Sequence, residues 1–375
     1  NACPNTGNLT ATVSGKVVNK TATGFENIAV DLKNMNDASS MQSTTAGEGK
    51  FNFKDVPYFN EYQLKAVKND DILNGLSTLD LVLIQRHILG MKHIENPYDL
   101  IAADINKDKK LTASDLVGLR KVILGIDKQF ASNESWRFVP SNYVFADPRD
   151  PHNFPEGIDI NELSQDMENL DFTAVKTGDV NNSATYNARN AEAENRTSPA
   201  LLLIADQAYK TGETVRASVS AGESMEVSGI QFAVKIDESK FLFKGIESAV
   251  LKVGSDNFHY SNGVLKLSVD SREAQMIQSG DVVFHIIMES KKAGNSINLT
   301  IDEQALAAEM YDENLQVRSL NIEIADAQLV EKVADDLRNH PNPFSETTTI
   351  HYRTQTEGTA TLWVSDATGR TVLSQ

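Results

Sequence analysis

Apolar and polar residues alternate with a period of two along two long stretches, and between them the period becomes helical. The first stretch, residues 8–67, runs LTATVSGKVVN, then Asn27-Ile28-Ala29-Val30-Asp31-Leu32, then a Gly47-Glu48-Gly49-Lys50 turn into FNFKDVPYFNEYQLKAVK. Successive side chains on a strand point to opposite faces, so alternation punctuated by turns predicts a small β-sandwich. From Leu201 the alternation resumes through LLLIADQAYKTGETVRASVSAG, VSGIQFAVKIDESKFLFKGIES, GVLKLSVDS, GDVVFHIIMES, SINLTID and VRSLNIEIAD, which predicts a second sandwich. Between them Leu81, Val82, Ile84 and Ile88, then Leu116, Leu119, Val122 and Ile123, recur at helical spacing and mark the buried faces of two short helices. Arg86, His87, Arg120 and Lys121 fall on the remaining face, which is either solvated or a docking surface.

The helices belong to a duplication. Residues 69–90, NDDILNGLSTLDLVLIQRHILG, align with residues 104–125, DINKDKKLTASDLVGLRKVILG, so that Asp80 falls on Asp115, Val82 on Val117, and Leu89-Gly90 on Leu124-Gly125. A polar loop precedes each helix. A hard cation such as Ca²⁺ takes oxygens from positions 1, 3, 5, 7, 9 and 12 of a twelve-residue loop. In the second copy these are Asp104, Asn106, Asp108, the Lys110 carbonyl, Thr112 and Asp115. Lys109 stands at the sharp-turn position, where a left-handed non-glycine residue costs about 1–2 kcal/mol. In the first copy Asn69, Asp71, the Gly75 carbonyl, Ser77 and Asp80 take ligand positions, Asn74 suits the left-handed turn, and Leu73 at position 5 offers no oxygen. Either this loop is degenerate or another segment supplies the missing oxygen; Asp179 and Asn181, which repeat the D-x-N spacing of a loop start, are the candidate extra donors, the alternative being a plain turn.

A duplicated D-x-N-x-D…D loop, each copy leading into a helix that ends Ile-Leu-Gly, resembles a type I dockerin. The resemblance implies two calcium-braced loop–helix units that plug into a cohesin, itself a β-sandwich. The partner-recognition positions implied are Thr78, Leu79, Ala113 and Ser114, with Arg86 and Arg120 beside them. Leu73, Lys109, the connector 91–103 and the want of a helix before the second loop depart from the pattern.

Three further resemblances extend along the chain. V-S-G-K-V…N-I-A-V-x-L…G-K-F-x-F-x-x-V-P is similar to carboxypeptidase-regulatory-like, or prealbumin-like, domains. Gly212-Glu213-Thr214-Val215, the segment GIQFAVKID from Gly229 and Gly280-Asp281-Val282-Val283-Phe284 resemble a cohesin. Pro341-Asn342-Pro343-Phe344, Thr347 to Ile350 and Asp366-Ala367-Thr368-Gly369-Arg370 resemble the opening half of a type IX secretion sorting domain.

The expected organisation is therefore mostly β and multidomain, with β-sandwiches flanking a small α unit. It comprises a prealbumin-like sandwich over 1–68, a dockerin-like unit over 69–130 and an aromatic, acidic appendage over 131–185 that covers it. A linker follows over 186–199, then a cohesin-like sandwich over 200–326, a second linker over 327–338 and a truncated sorting domain over 339–375.

Composition narrows the function. At 375 residues and 40% apolar content the chain can bury several cores. A net charge of −17 argues against nucleic acid and anionic membrane as partners and suits calcium and an extracellular setting. There is no apolar run long enough to span a bilayer, any signal peptide is expected to lie outside this numbering, and the single Cys3 leaves the domains to be held by cores and metal. There is no G-x-S-x-G, no H-E-x-x-H and no phosphate-cradling glycine loop, and Asp147, Asp150, Asp159 and Glu162 show no spacing that singles out an acid/base pair. The expectation is a non-enzymatic, secreted, calcium-binding surface or scaffolding protein. Its partners would be proteins (itself or a cohesin- or dockerin-type partner) or a cell-surface polysaccharide. The alternatives are a filament subunit joined head-to-tail and an accessory region of a secreted hydrolase.

Overall fold

The structure, a computed structural model, describes residues 9–186 and 197–326 and, beyond them, Thr347 and four short strands. The first stretch carries β1 (Thr10–Val18), β2 (Ala29–Asn34), β3 (Ser40–Thr44), β4 (Lys50–Pro57) and β5 (Tyr62–Val67). Three helices follow, α1 (Thr78–Ile88), α2 (Pro97–Ala103) and α3 (Ala113–Leu124), and then β6 (Trp136–Pro140), β7 (Ile158–Ile160) and β8 (Phe172–Lys176).

Two four-stranded sheets form, ordered β4-β1-β8-β6 and β3-β2-β5-β7. Strands from the expected appendage thus lie in both. β8 runs parallel to β1, with Val17 opposite Phe172, and β7 pairs with β5, with Leu64 opposite Ile158. The expected boundary after residue 68 is crossed by this pairing, and the loop–helix unit is an insertion between β5 and β6.

The reason lies in the two faces of β6 and β8, all of whose residues are buried. On one face Trp136, Phe138, Phe172 and Ala174 join Val13, Val30, Leu32 and Leu64 in the sandwich core. On the other, Val139 and Val175 meet Leu81, Ile84, Leu119 and Ile123 of the helices. A strand covered on both sides loses the clean alternation that marks a half-buried one. Tyr186, expected in the linker, sits with its ring 5.1 Å from Phe25 and 5.4 Å from Trp136.

α1 and α3 begin with matching capping boxes, Ser77 with Asp80 and Thr112 with Asp115. In each, the cap side chain satisfies a helix-start amide while the acid reaches back to the cap amide. The connector, expected without a helix, contains α2. Asn96 caps it and Pro97 occupies its first turn, where the missing N–H is harmless.

The second stretch carries β9 (Thr197–Asp206), β10 (Thr214–Ala221), β11 (Met225–Lys235), β12 (Phe241–Ser248), β13 (Phe258–Ser261), β14 (Val264–Ile277), β15 (Val282–Ser290), β16 (Thr300–Ile301), β17 (Glu309–Tyr311) and β18 (Val317–Asp326). They hydrogen-bond in one path, β12-β15-β10-β9-β18-β17-β11-β14-β13, with β16 on β11. The path folds back on itself. Phe243 of β12 meets Phe258 and Tyr260 of β13 at 5.8 and 4.7 Å, and Phe232 of β11 stacks on Phe284 of β15 at 6.0 Å. β11 is buried on both faces from Val227 to Val234. Ile230, Phe232 and Val234 fill this second core, while Ala233 joins the helical one.

The last four strands pair as two hairpins, β19 (Arg338–His340) with β20 (Thr349–His351) and β21 (Trp363–Ser365) with β22 (Thr371–Ser374). Residues 341–344 and 366–370, which carry the sorting-domain resemblance, lie outside the described residues, as does most of both expected linkers.

Candidate metal loops and the docked helical unit

The second loop folds around two fully buried carboxylates, Asp104 and Asp115. Asp104 Oδ1 accepts the amide of Asp108 (3.0 Å) and its Oδ2 that of Lys109 (3.1 Å). Asp115 Oδ1 accepts the amide of Asn106 (3.2 Å), and its Oδ2 that of Thr112 (2.9 Å). Asn106 Oδ1 accepts from Asp108 N at 2.9 Å. Lys107 and Lys109 take left-handed conformations at φ 61° and 67°. Burial raises the Asp104 carboxyl above its ordinary value, against the opposing effect of His152. His152 Nδ1 lies 3.5 Å from Asp104 Oδ2.

The first loop is built differently from its sequence register. Asn69 faces away, its Oδ1 accepting the Ser135 amide at 2.9 Å, and Asp71 and Leu73 are exposed. Their places are taken by Asp179, Asn181 and Ser183, about a hundred residues further on, and the two loops then match bond for bond. Asn181 N reaches Asp80 Oδ1 at 3.3 Å, as Asn106 N reaches Asp115 Oδ1. Ser183 N and Ala184 N donate to the two oxygens of Asp179 at 3.1 and 2.9 Å, as Asp108 and Lys109 donate to Asp104. Ser183 N also donates to Asn181 Oδ1 (3.0 Å), and Ser77 N to Asp80 Oδ2 (2.9 Å). Asn182 repeats the left-handed turn of Lys107 at φ 64°.

The composite loop therefore assembles Asp179, Asn181 and Ser183 with the Gly75 carbonyl, Ser77 and Asp80. Ser183 Oγ already touches the Gly75 carbonyl at 2.9 Å. The left-handed turn expected at Asn74 falls on Asp71 and Gly75 instead, and Asn74 clamps Thr185 through both amide atoms. Gly75 is required here, since a Cβ on it would stand 2.5 Å from Ala184 N at φ +75°. Burial pushes the Asp179 carboxyl up to about 6. Burial, and Asp179 beside it, push Asp80 far above the carboxylate range. Lys176 Nζ, lowered to about 8 by burial, donates to the Ile72 carbonyl at 2.9 Å.

Both loops offer oxygen donors, and their buried like-charged carboxylates are the environment that a hard cation relieves. Among the described residues, no three His, Cys, Asp or Glu side chains converge as a metal site. The candidate donor sets combine carboxylates with amide, hydroxyl and carbonyl oxygens.

The helical unit is docked on the second sandwich. Thr78 N, an otherwise unpaired first-turn amide of α1, donates to Gln231 Oε1 at 2.6 Å, and the Thr78 and Ser268 hydroxyls hydrogen-bond to each other at 2.6 Å. Arg86 donates to Ser228 Oγ at 3.0 Å. Gln85 Nε2 reaches Asp270 Oδ2 at 3.0 Å, while Arg120 of α3 pairs with Asp270 Oδ1 and, at 3.3 Å, with Asp256. A Cβ on Gly229 would meet Val82 Cγ2 at 3.2 Å and Thr78 Cγ2 at 3.3 Å, so bare backbone lets α1 lie flat on β11. Of the expected partner positions, Thr78, Arg86 and Arg120 make this contact, and Leu79 is buried next to Thr78. Ala113 and Ser114 are exposed, Ser114 accepting from Asn106 Nδ2 at 2.9 Å. Sequence reasoning did not reach Gln85, Gln231, Ser268 or Asp270, which are ordinary polar residues until the surfaces meet.

No protein-family model matches the chain, and no curated protein matches it. Solved structures similar to it include the seventh ScaB type I cohesin from Pseudobacteroides cellulosolvens, 17% identical, covering 34% of this chain and 89% of that one at a TM-score of 0.28. A type I cohesin–dockerin complex from Clostridium thermocellum is 14% identical, covering 34% and 100% at 0.26. A non-cellulosomal cohesin from Archaeoglobus fulgidus is 10% identical, covering 36% and 97% at 0.27. The similarity is one of cohesin-like sandwich architecture over about a third of the chain, and the contacts within the chain stand independently of it.

Proposed function

We propose that the chain is a non-catalytic, extracellular scaffolding protein in which a calcium-braced, dockerin-like unit is docked on the chain's own cohesin-like sandwich. The observation that carries this reading is the polar contact of Thr78, Gln85, Arg86 and Arg120 with Gln231, Ser228, Ser268 and Asp270. It joins the helices to the second sandwich, while Val139 and Val175 join them to the first. The unit acts as a wedge that sets the angle between the two sandwiches.

Calcium would be held by Asp104, Asn106, Asp108, the Lys110 carbonyl, Thr112 and Asp115 in one loop. In the other it would be held by Asp179, Asn181, Ser183, the Gly75 carbonyl, Ser77 and Asp80. Bound calcium supplies the positive charge that these buried carboxylates otherwise lack. Because the composite loop draws on two distant segments, its occupancy would tie α1 to the irregular segment that follows β8. The acidic surface and the sorting-domain resemblance support a place outside the cell, and the surfaces left free would serve a further protein or a cell-surface polysaccharide. Head-to-tail filaments would need the docking faces that are paired within the chain, so the one-chain arrangement is the better supported.

Calorimetric titration of the chelated chain with calcium tests this reading. Two ions per chain are expected, falling to one in Asp104→Ala and to one in Asp179→Ala, with the melting temperature raised as ligand selects the folded state. A chain that takes up no calcium, or whose melting is indifferent to chelator, overturns it.

A further inference from the structure

We infer that His152 is a positioning residue for the second loop, its Nδ1–H holding Oδ2 of Asp104 and so fixing a carboxylate that would ligate the ion. This rests on the calcium reading of that loop.

His152 is 8% exposed, and its Nδ1 is buried without a hydrogen-bond partner. A buried polar nitrogen left unpaired is unfavourable and calls for an explanation. The atom it faces is Asp104 Oδ2, at 3.5 Å, just beyond hydrogen-bond length. That oxygen already takes the Lys109 amide, and Oδ1 takes the Asp108 amide, so the carboxylate is poised but one donor short of being fixed.

The segment that carries the imidazole is held against the loop. Asn153, next to it, accepts from Lys109 Nζ at 2.7 Å, and its carbonyl accepts from Tyr143 OH at 2.9 Å. Phe154 packs beneath the Arg137 guanidinium at 4.6 Å, and Glu156 bridges Arg137 and Lys107. A segment from the first sandwich is thus pinned across the metal loop at several points, with a histidine aimed into it. Partners that orient a ligand's far oxygen commonly set metal affinity by about 10- to 100-fold.

Calcium titration of the full chain in His152→Phe and His152→Asn variants tests the assignment. Asparagine places an N–H where the ring has Nδ1, and phenylalanine fills the space without one. His152→Phe is expected to weaken one of the two sites by about 10- to 100-fold and leave the other unchanged. His152→Asn should restore that site to within a few-fold, although both variants melt alike in chelator. A merely structural role would shift melting in chelator and affect both variants equally. Should the phenylalanine variant not unfold cooperatively, His152→Ala takes its place. Wild-type affinity at both sites in the donor-less variant overturns the inference while leaving the calcium reading intact, as does an equal loss in His152→Asn. If the wild-type chain binds no calcium, both fall.

Discussion

Arg120 and Asp179 show how single side chains hold the assembly. Asp270 is almost wholly buried between Arg120 and Gln85, so removing the guanidinium leaves a buried carboxylate with only an amide for company. Arg120→Ala is expected to destabilise the chain by about 3 kcal/mol, read by denaturant unfolding, whereas Arg120→Ala with Asp270→Asn should recover much of that loss. Asp179→Asn removes one of two like-charged buried carboxylates. In chelator it should melt at or above the wild-type temperature, and in calcium below it, a crossover that differential scanning calorimetry would reveal.

At this scale the sequence was legible where donors are contiguous. Asp104 to Asp115 could be read in register because one segment supplies the whole loop. The composite loop could be read only in part. Asp179 and Asn181 stood out by their D-x-N spacing, but Ser183 carries no such mark, and Asn69 and Asp71 mimic a loop start that the chain does not use. Chain continuity was the misleading signal, because the fold brings Gly178 to Ala184 against Gly75.

Among the elements, the duplicated helices have diverged in what they touch. Val82 on α1 lies fully buried against Gly229, while its counterpart Val117 on α3 is 46% exposed. Helical spacing marked both helices correctly, yet it cannot say which face a second surface will cover. Gly229→Leu should lift α1 from β11 and speed amide exchange in α1, with little effect on strands of the opposite layer such as β10 and β15. Exchange in α1 that is unchanged would show that the close approach at Gly229 is not needed.

The appendage taught the same lesson in a sheet. Trp136 and Phe138 at alternate positions were legible as a strand, but β8, with which they pair, is joined on its other edge by β1, which lies far away in the chain, beyond the inserted helices. Trp136→Ala, which empties a fully buried ring site shared with Phe25 and Tyr186, should cost about 3–5 kcal/mol and loosen β1 to β5 along with β6 to β8 in one transition. Separate transitions for residues 9–67 and 131–186 would contradict the shared sandwich.

For the molecule as a whole, the helical unit lies between two sandwiches and contacts both, so the angle between them follows from how the unit is braced. That arrangement follows from three surfaces that each look incomplete alone: strands buried on both sides in the first sandwich, a glycine- and alanine-bearing strand in the second, and helices with polar groups at their first turn. The central claim is that plug and socket meet within one chain. Size exclusion coupled to light scattering, over a wide range of concentrations in calcium and then in chelator, tests it most directly. The account predicts a mass of 41.2 kDa throughout, with at most a larger hydrodynamic radius when calcium is withdrawn. A mass that grows with concentration in calcium and collapses in chelator would mean that the contact forms between chains, and would contradict it.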